Sequence, residues 1–384
     1  MSMPCASALS TQRNTDAALE EVLGRVAAGL AGATADLAVV FSTAHHADRL
    51  AELAPRVAAL GLGRHLIGCT GESVVGEGRE VEGASALCLW SIALPPGATI
   101  TPVRLEAVAD GIGGWPVEVD PSSTFLFLGD PFTFPAEDLL KRLNADAPGL
   151  RVVGGMASAG RAPGQNRLLL GDATYKEGAV GLLLDGVSIR TVVSQGCRPI
   201  GRPLIVTKVD GNIVRELGRR PALEVLKEVF ADLDEREQGL VREGLHVGRV
   251  INEYRETFKR GDFLVRNVIG VDPGGGIALT DHLRVGQTVQ FHVRDAATAD
   301  EDLRLLLAEV PADRAAGALL FSCNGRGSRL FPGPDHDAST IAEVLGPIPT
   351  AGFFAMGEVG PVGGQNFLHG FTASVAIFEH PAPM

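Results

Sequence analysis

The feature that most constrains this chain is a plan of strand, helix, strand, small-residue turn and strand that occurs three times. The first copy opens with DLAVVF (Asp36 to Phe41) and continues with Leu50, Leu53, Val57 and Leu60 at helical spacing. HLIG, the turn GCTGES (Gly68 to Ser73) and EGASALCLW (Glu82 to Trp90) complete it. The second runs from TFLFLGD (Thr124 to Asp130) through a helix after Pro135, the turn VVGGMASAG (Val152 to Gly160) and EGAVGLLL (Glu177 to Leu184). The third runs from GALLFSCNGRG (Gly317 to Gly327) through a helix carrying Ile341, Val344 and Leu345 that stops at Gly346-Pro347. It ends with the turn AGFFAMGEVGP (Ala351 to Pro361) and TASVAIF (Thr372 to Phe378). Copies two and three also share Gly-Gln-Asn after the turn, at residues 164–166 and 364–366. Such a plan predicts an α/β fold of repeated strand-helix-strand units in mixed sheets flanked by helices. Gly68, Gly154 and Gly352 are predicted in equivalent turns, each after a short parallel strand.

Between the second and third copies the pattern changes. A helix is expected from Pro221, and FLVRNVIGV and QTVQFHV read as strands, with DPGGG (Asp272 to Gly276) as a hairpin turn. Residues 198–220 read as a connection between two halves.

Charge and cysteine usage narrow the function classes. A formal charge of −12 excludes a nucleic-acid scaffold, which needs clustered Lys and Arg. The five cysteines are an odd number without a CxxC pair, which fits neither a disulfide framework nor a zinc site. Cys88 reads as core packing. His45-His46 lacks a partner at ligand spacing, and neither metal nor cofactor is expected. GMASAGRA near Gly155 has Arg161-Ala162 where a phosphate loop needs Lys-Ser/Thr. No secretory signal or membrane span is visible, so a cytoplasmic location is expected.

The third copy carries a more specific likeness. FSCNGRG, HDA, LGPIPTAGFFAMGEVGPVGG and NFLHGFTASVAIF resemble the C-terminal FIST region, and VVFSTAHH, LIGCTGES, EGASALCLW and VVGGMASAG resemble the N-terminal one. The resemblance implies an N-terminal segment over residues 1–35, partly disordered and then helical, a FIST N-terminal domain of two repeats over 36–218 and a FIST C-terminal domain over 219–380. It further implies a sensory protein of signal transduction that binds a small ligand such as an amino acid. Kinase, cyclase, methyl-acceptor and F-box segments are not seen, so output is expected through a separate partner.

Ligands in α/β sheets bind where loops lie over strand carboxyl ends, so the Gly-rich turns are the candidate site. Its main part is Cys323, Asn324, Gly325, Arg326 and Gly327 with Gly357, Glu358, Gly363, Gly364, Gln365 and Asn366. Cys69, Thr70, Gly154 and Gly155 come from the matching turns of the other copies. Gly backbone N–H groups and the Arg326 fork suit a carboxylate, and Glu358 suits an ammonium. The Asn and Gln residues add neutral donors and acceptors, a set that fits a zwitterionic amino acid. The structural alternative is that Arg326 and Glu358 pair with each other to tie two loops. A rival function is a Cys323 nucleophile with His336 and Asp337 in a hydrolase or acyl-transfer enzyme. Asp337 also reads as an N-cap without catalysis. A third possibility is a protein–protein adaptor.

Overall fold

Apolar runs bounded by small residues become central strands. In a computed structural model that describes residues 3–116, 118–255, 257–259 and 261–381, the three repeats share one topology. Their opening strands are Leu37–Ser42, Thr124–Gly129 and Ala315–Cys323. Each pairs in parallel with the second strand of its own repeat, His65–Thr70, Arg151–Met156 or Thr350–Ala355. Each pairs antiparallel with its closing strand, Leu87–Ile92, Ala179–Asp185 or Thr372–Glu379. A parallel pair needs a crossover connection, and helices supply it: Ala44–Glu52 with Leu53–Ala59, Ala136–Asp146, and His336–Leu345.

Gly68, Gly154 and Gly352 are equivalent, but they lie inside the second strands rather than in turns. They stand opposite Val40, Phe127 and Leu320 in the parallel ladder. In all three cases a Cβ atom would run into the carbonyl oxygen of that same partner. Glycine therefore recurs because two backbones approach closely, not because the chain turns.

After its second strand each repeat forms a hairpin and lends it to another repeat. Hairpin Val74–Gly76/Arg79–Val81 of repeat one pairs with the second strand of repeat three. Hairpin Glu358–Val362/Gln365–His369 of repeat three joins the second strand of repeat two. Hairpin Leu168–Leu170/Ala173–Tyr175 of repeat two joins the second strand of repeat one. The exchange closes a cycle of three sheets.

Strand alternation gives each sheet an inner and an outer face. Val39, Phe41, Leu126, Leu128, Leu319 and Phe321 face one shared core. Phe41, Phe321 and Phe353 meet there with ring centroids 5.0–6.2 Å apart. Residues one position along face the helices instead: Val40 against Leu19 and Val22, Phe127 against Leu139 and Leu143, and Leu320 against Ile341 and Leu345. The start of the chain, expected to be partly disordered, is a strand, Cys5–Ser10, on the edge of the first sheet. Helix Thr15–Leu30 follows, with the Asn14 side chain accepting from Ala17 N at 3.0 Å as its N-cap.

The chain forms two compact units: the repeats with residues up to Ser194, Leu303–Leu368 and from Thr372 on, and Gln195–Asp302 with His369–Phe371. The second unit is thus an insertion between repeats two and three, and residue 218, the expected domain boundary, lies within it. Residues 198–220, read as a connection, are mostly strand. Strand Cys197–Asp210 pairs in succession with Thr288–Arg294 and Ile213–Leu217. Leu245–Val250, Phe263–Val271 and Ile277–Leu279 complete a closed, antiparallel six-stranded barrel. Its interior holds Ile200, Val247, Ile277 and Phe291. The turn at DPGGG and the helix after Pro221 (Ala222–Ala231) stand as the sequence predicts.

Candidate functional site

The carboxyl ends of the three second strands are laced together. Ser158 N–H donates to Thr70 O at 3.0 Å, Glu72 N–H donates to Ser158 Oγ at 2.8 Å, and Ser158 Oγ–H donates to Phe354 O. Phe354 N–H donates to Ser73 O at 3.0 Å, and Met156 N–H to Gly357 O at 2.9 Å. Residues of all three repeats thus hold one another in place.

At this end, repeat three departs from its siblings. Glu358 stands opposite Gly155 in its ladder, the place held by Val74 opposite Phe353 and by Leu168 opposite Cys69. Val74 and Leu168 are core residues, whereas the third occupant is a fully buried carboxylate. Glu358 Oε2 accepts from Thr372 N at 3.1 Å and Thr372 Oγ1 at 2.8 Å, and Oε1 has no partner. Burial pushes the carboxyl up to about 8, against hydrogen bonds from Thr372 and Cys323 and the charge of Arg326.

Cys323 ends the opening strand of repeat three, where repeats one and two carry Thr43 and Asp130 at the same register. It is half-buried, hydrogen-bonded to Glu358, and its Sγ accepts from Gly325 N at 3.4 Å. Arg326 lies beneath the loop, fully buried. Its fork is spent on Asp337, with Nε and Nη2 each 2.7 Å from a carboxylate oxygen, while Nη1 has no partner. Burial works against the charged guanidinium, but Asp337 outweighs it and the group stays cationic. Burial alone would raise Asp337; Arg326 wins and holds it well below the usual carboxylate range.

Two expectations need correction here. Arg326 and Glu358 do not pair with each other; Asp337 is the partner of Arg326. Nor is Asp337 an N-cap: it sits inside helix His336–Leu345, and the N-terminus of that helix is satisfied from repeat one. Glu80 Oε1 accepts from Asp337 N at 2.8 Å and Ala338 N at 3.0 Å. Burial and the adjacent Asp337 charge raise the Glu80 carboxyl. Asp337 also accepts from Ser322 Oγ at 2.7 Å and contacts His336 Nδ1 at 3.0 Å. The His336 ring stacks on Phe331, whose other neighbour is the Arg326 guanidinium. His336 and Asp337 therefore belong to the cradle of Arg326.

Cys323, Asn324, Gly325, Arg326, Gly357, Glu358 and Gly155 come together. Gly155 approaches Ala355 and Gly357 so closely that a Cβ would crowd both, and Gly154 pairs with Val359. Gly327 is buried under the loop, and its carbonyl accepts from Leu330 N and Phe331 N. Cys69 is sealed in the central core, and Thr70 Oγ1 accepts from Arg167 N at 2.9 Å. Gly363, Gly364, Gln365 and Asn366 are elsewhere, since a hairpin rising ~3.3 Å per residue carries them roughly 10–17 Å from Glu358 toward its turn. Asn366 there accepts from Val152 N at 2.8 Å and donates to Leu150 O at 2.8 Å. The other Asn of the shared tripeptide, Asn166, does a different job, donating to Asp130 Oδ1 at 2.9 Å and accepting from Gly160 N at 2.7 Å. The Gly-Gln-Asn match is therefore not a repeat feature.

Glu80, Ser322, Phe331 and Thr372 escaped the sequence reading. Glu80 lies in a three-residue strand more than 250 positions from its partners, and no local pattern marks it. A cavity of about 610 Å³ in the second unit was also missed; Ile200, Gly201, Arg202, Leu204, Val225 and Val229 line part of it. It opens where the ladder between Cys197–Asp210 and Thr288–Arg294 shifts register between Ile200 and Leu204. Gly201-Arg202-Pro203 is the local signal for that break. Among the described residues, no group of His, Cys, Asp and Glu side chains is placed to hold a metal ion. No helix among them is long and apolar enough to cross a membrane.

Comparison with known proteins adds the family. Residues 36–220 match the FIST N domain and residues 222–361 match the FIST C domain. An uncharacterized protein of Mycobacterium tuberculosis is 44% identical over 379 residues, covering 96% of this chain and 98% of its own length. An uncharacterized protein of Mycobacterium bovis is 44% identical over 366 residues, 93% of this chain and 94% of its own length.

Proposed function

Since the chain belongs to the FIST family, which is associated with sensory signal transduction and small-ligand binding, we propose that it senses an amino acid or similar small zwitterion at the strand end of Cys323 to Arg326 and Glu358. Output passes to a separate partner protein, in the cytoplasm. The observation that carries this reading is three buried polar atoms without partners on neighbouring segments: Arg326 Nη1, Asn324 Oδ1 and Glu358 Oε1. A buried polar atom left unpaired costs about 1–3 kcal/mol, and a bound polar ligand would recover it. The guanidinium N–H suits a carboxylate, and the Asn324 oxygen with the Glu358 carboxyl, which an adjacent ammonium ionises, suits the ammonium joined to it. Because Asp337 holds the Arg326 fork, the ligand receives a single guanidinium N–H there, with Asn324 and Gly325 in the half-buried loop above it.

Calorimetry of the full chain against the free amino acids tests this, alongside mass spectrometry of metabolites retained on gentle purification. A small zwitterion is expected to bind, and Asn324→Ala or Glu358→Gln to weaken it roughly 10–100-fold. Absence of any bound or retained zwitterion, or unchanged affinity in both variants, defeats the reading.

A further inference from the structure

The five cysteines stand in contrasting settings. Cys69 and Cys88 are fully buried, and burial pushes both thiols far up. Cys197 is buried as well. Cys5 is half-buried by surface area, yet burial still drives its thiol well above the ordinary value. Cys323 is also half-buried, but its surroundings are polar. It shares a hydrogen bond with Glu358, receives one from Gly325 N–H, and lies within the electrostatic reach of the Arg326 guanidinium. Positive charge and backbone donors beside a partly exposed sulfur are the surroundings in which thiols act as nucleophiles. Independently of the sulfur, the fully buried Arg326 and Glu358 each leave one polar atom without a partner.

We propose that Cys323 is a modification site, a thiol that small hydroperoxides oxidise to a sulfenic acid. Sulfur attacks the terminal peroxide oxygen, so an S–O bond forms as the O–O bond breaks. Sulfur loses two electrons, and the peroxide is reduced to water or an alcohol. The neutral Glu358 carboxyl gives its proton to the departing oxygen and takes the thiol proton in exchange, while the transferred oxygen keeps its own hydrogen. Arg326 Nη1–H is the donor available to the charge that develops on the departing oxygen. In repeats one and two the same register carries Thr43 and Asp130, and the Glu358 position carries Val74 and Leu168. Neither sibling can perform this step. Oxidation of Cys323 is separate from non-covalent ligand binding and holds whichever ligand occupies the site.

The test treats the full chain with hydrogen peroxide at low excess, traps sulfenic acid with dimedone, and quantifies adducts at all five cysteines by peptide mass spectrometry. Cys323 is expected to form adduct at least roughly tenfold faster than Cys5, the other half-buried thiol. Glu358→Gln is expected to slow Cys323 adduct formation by about tenfold or more, with an unchanged far-UV spectrum. Labelling of Cys323 no faster than Cys5 overturns the assignment. An unchanged rate in a folded Glu358→Gln protein overturns the role of the Glu358 carboxyl. Should that variant fail to fold, the comparison among wild-type cysteines still decides the first point. Calorimetry with amino acids reports separately on ligand binding, so the two ideas fail independently.

Discussion

The hairpins of repeats one and three occupy the same place in the fold and differ in one decisive side chain. Val74 completes the apolar core opposite Phe353, whereas Glu358 brings a carboxyl group to the same depth opposite Gly155. Repeat two agrees with repeat one through Leu168. Three sheets that share a plan therefore have two structural strand ends and one polar one. Around the polar one gather Cys323, Arg326, Asp337 and Thr372, supported by Glu80 from repeat one. A triplicated scaffold fixes positions, and a single copy is then free to carry chemistry at a cost in stability the other two do not bear.

The largest effect tests what the copies have in common. Gly68→Ala, Gly154→Ala and Gly352→Ala each drive a methyl group into a carbonyl oxygen of the adjacent strand. Each should lose roughly 4 kcal/mol or more in denaturant unfolding, or fail to fold. Gly164→Ala, with φ +81 but open space around it, should lose only about 1 kcal/mol. Comparable tolerance at all four positions would end the equivalence of the three repeats.

The next effect tests what sets repeat three apart. The folded Glu358 carboxyl, at about 8, lies above its ordinary value of 4.5, so the folded chain retains a proton that the unfolded chain releases. Stability is therefore full below the unfolded value and is lost as pH rises through the folded one. Wild type minus Glu358→Gln unfolding free energies, measured from about pH 5 to about pH 9, should fall by up to roughly 4 kcal/mol. Glu80 shifts in the same direction and is present in both proteins, so the difference isolates Glu358. A flat difference would mean that the carboxyl is not held neutral by its burial.

The smallest effect separates the residues of one tripeptide. Asn366 satisfies three partners on and beside the second strand of repeat two, and Gln365 next to it is exposed. Asn366→Ala should cost roughly 2 kcal/mol in thermal or chemical unfolding. Gln365→Ala should stay within about 0.5 kcal/mol. Equal costs would restore a common role for the pair.

Sequence alone determined the elements that repeat. Apolar runs, helical spacing and small residues recur three times, and local chain chemistry dictates what they form, so the α/β class and the three copies were legible. The glycines were legible as equivalent but not as strand residues, because the force that selects them is a neighbouring backbone, invisible along the chain. Of the site, Cys323, Asn324, Gly325, Arg326 and Glu358 were legible as a polar, Gly-rich cluster in an apolar setting. Their pairing was not. Asp337 looked like a local cap while its carboxylate reaches back to Arg326, and Glu80 caps a helix more than 250 residues away. Only tertiary structure decided the cyclic exchange of hairpins, because strand pairing between repeats depends on which edges the sheets leave open. The barrel between repeats two and three was settled the same way: its closure requires Cys197–Asp210 to pair with two different strands along its length. Hydrogen-bond partners and burial are properties of chain segments brought together in space, and separation along the sequence carries no record of them.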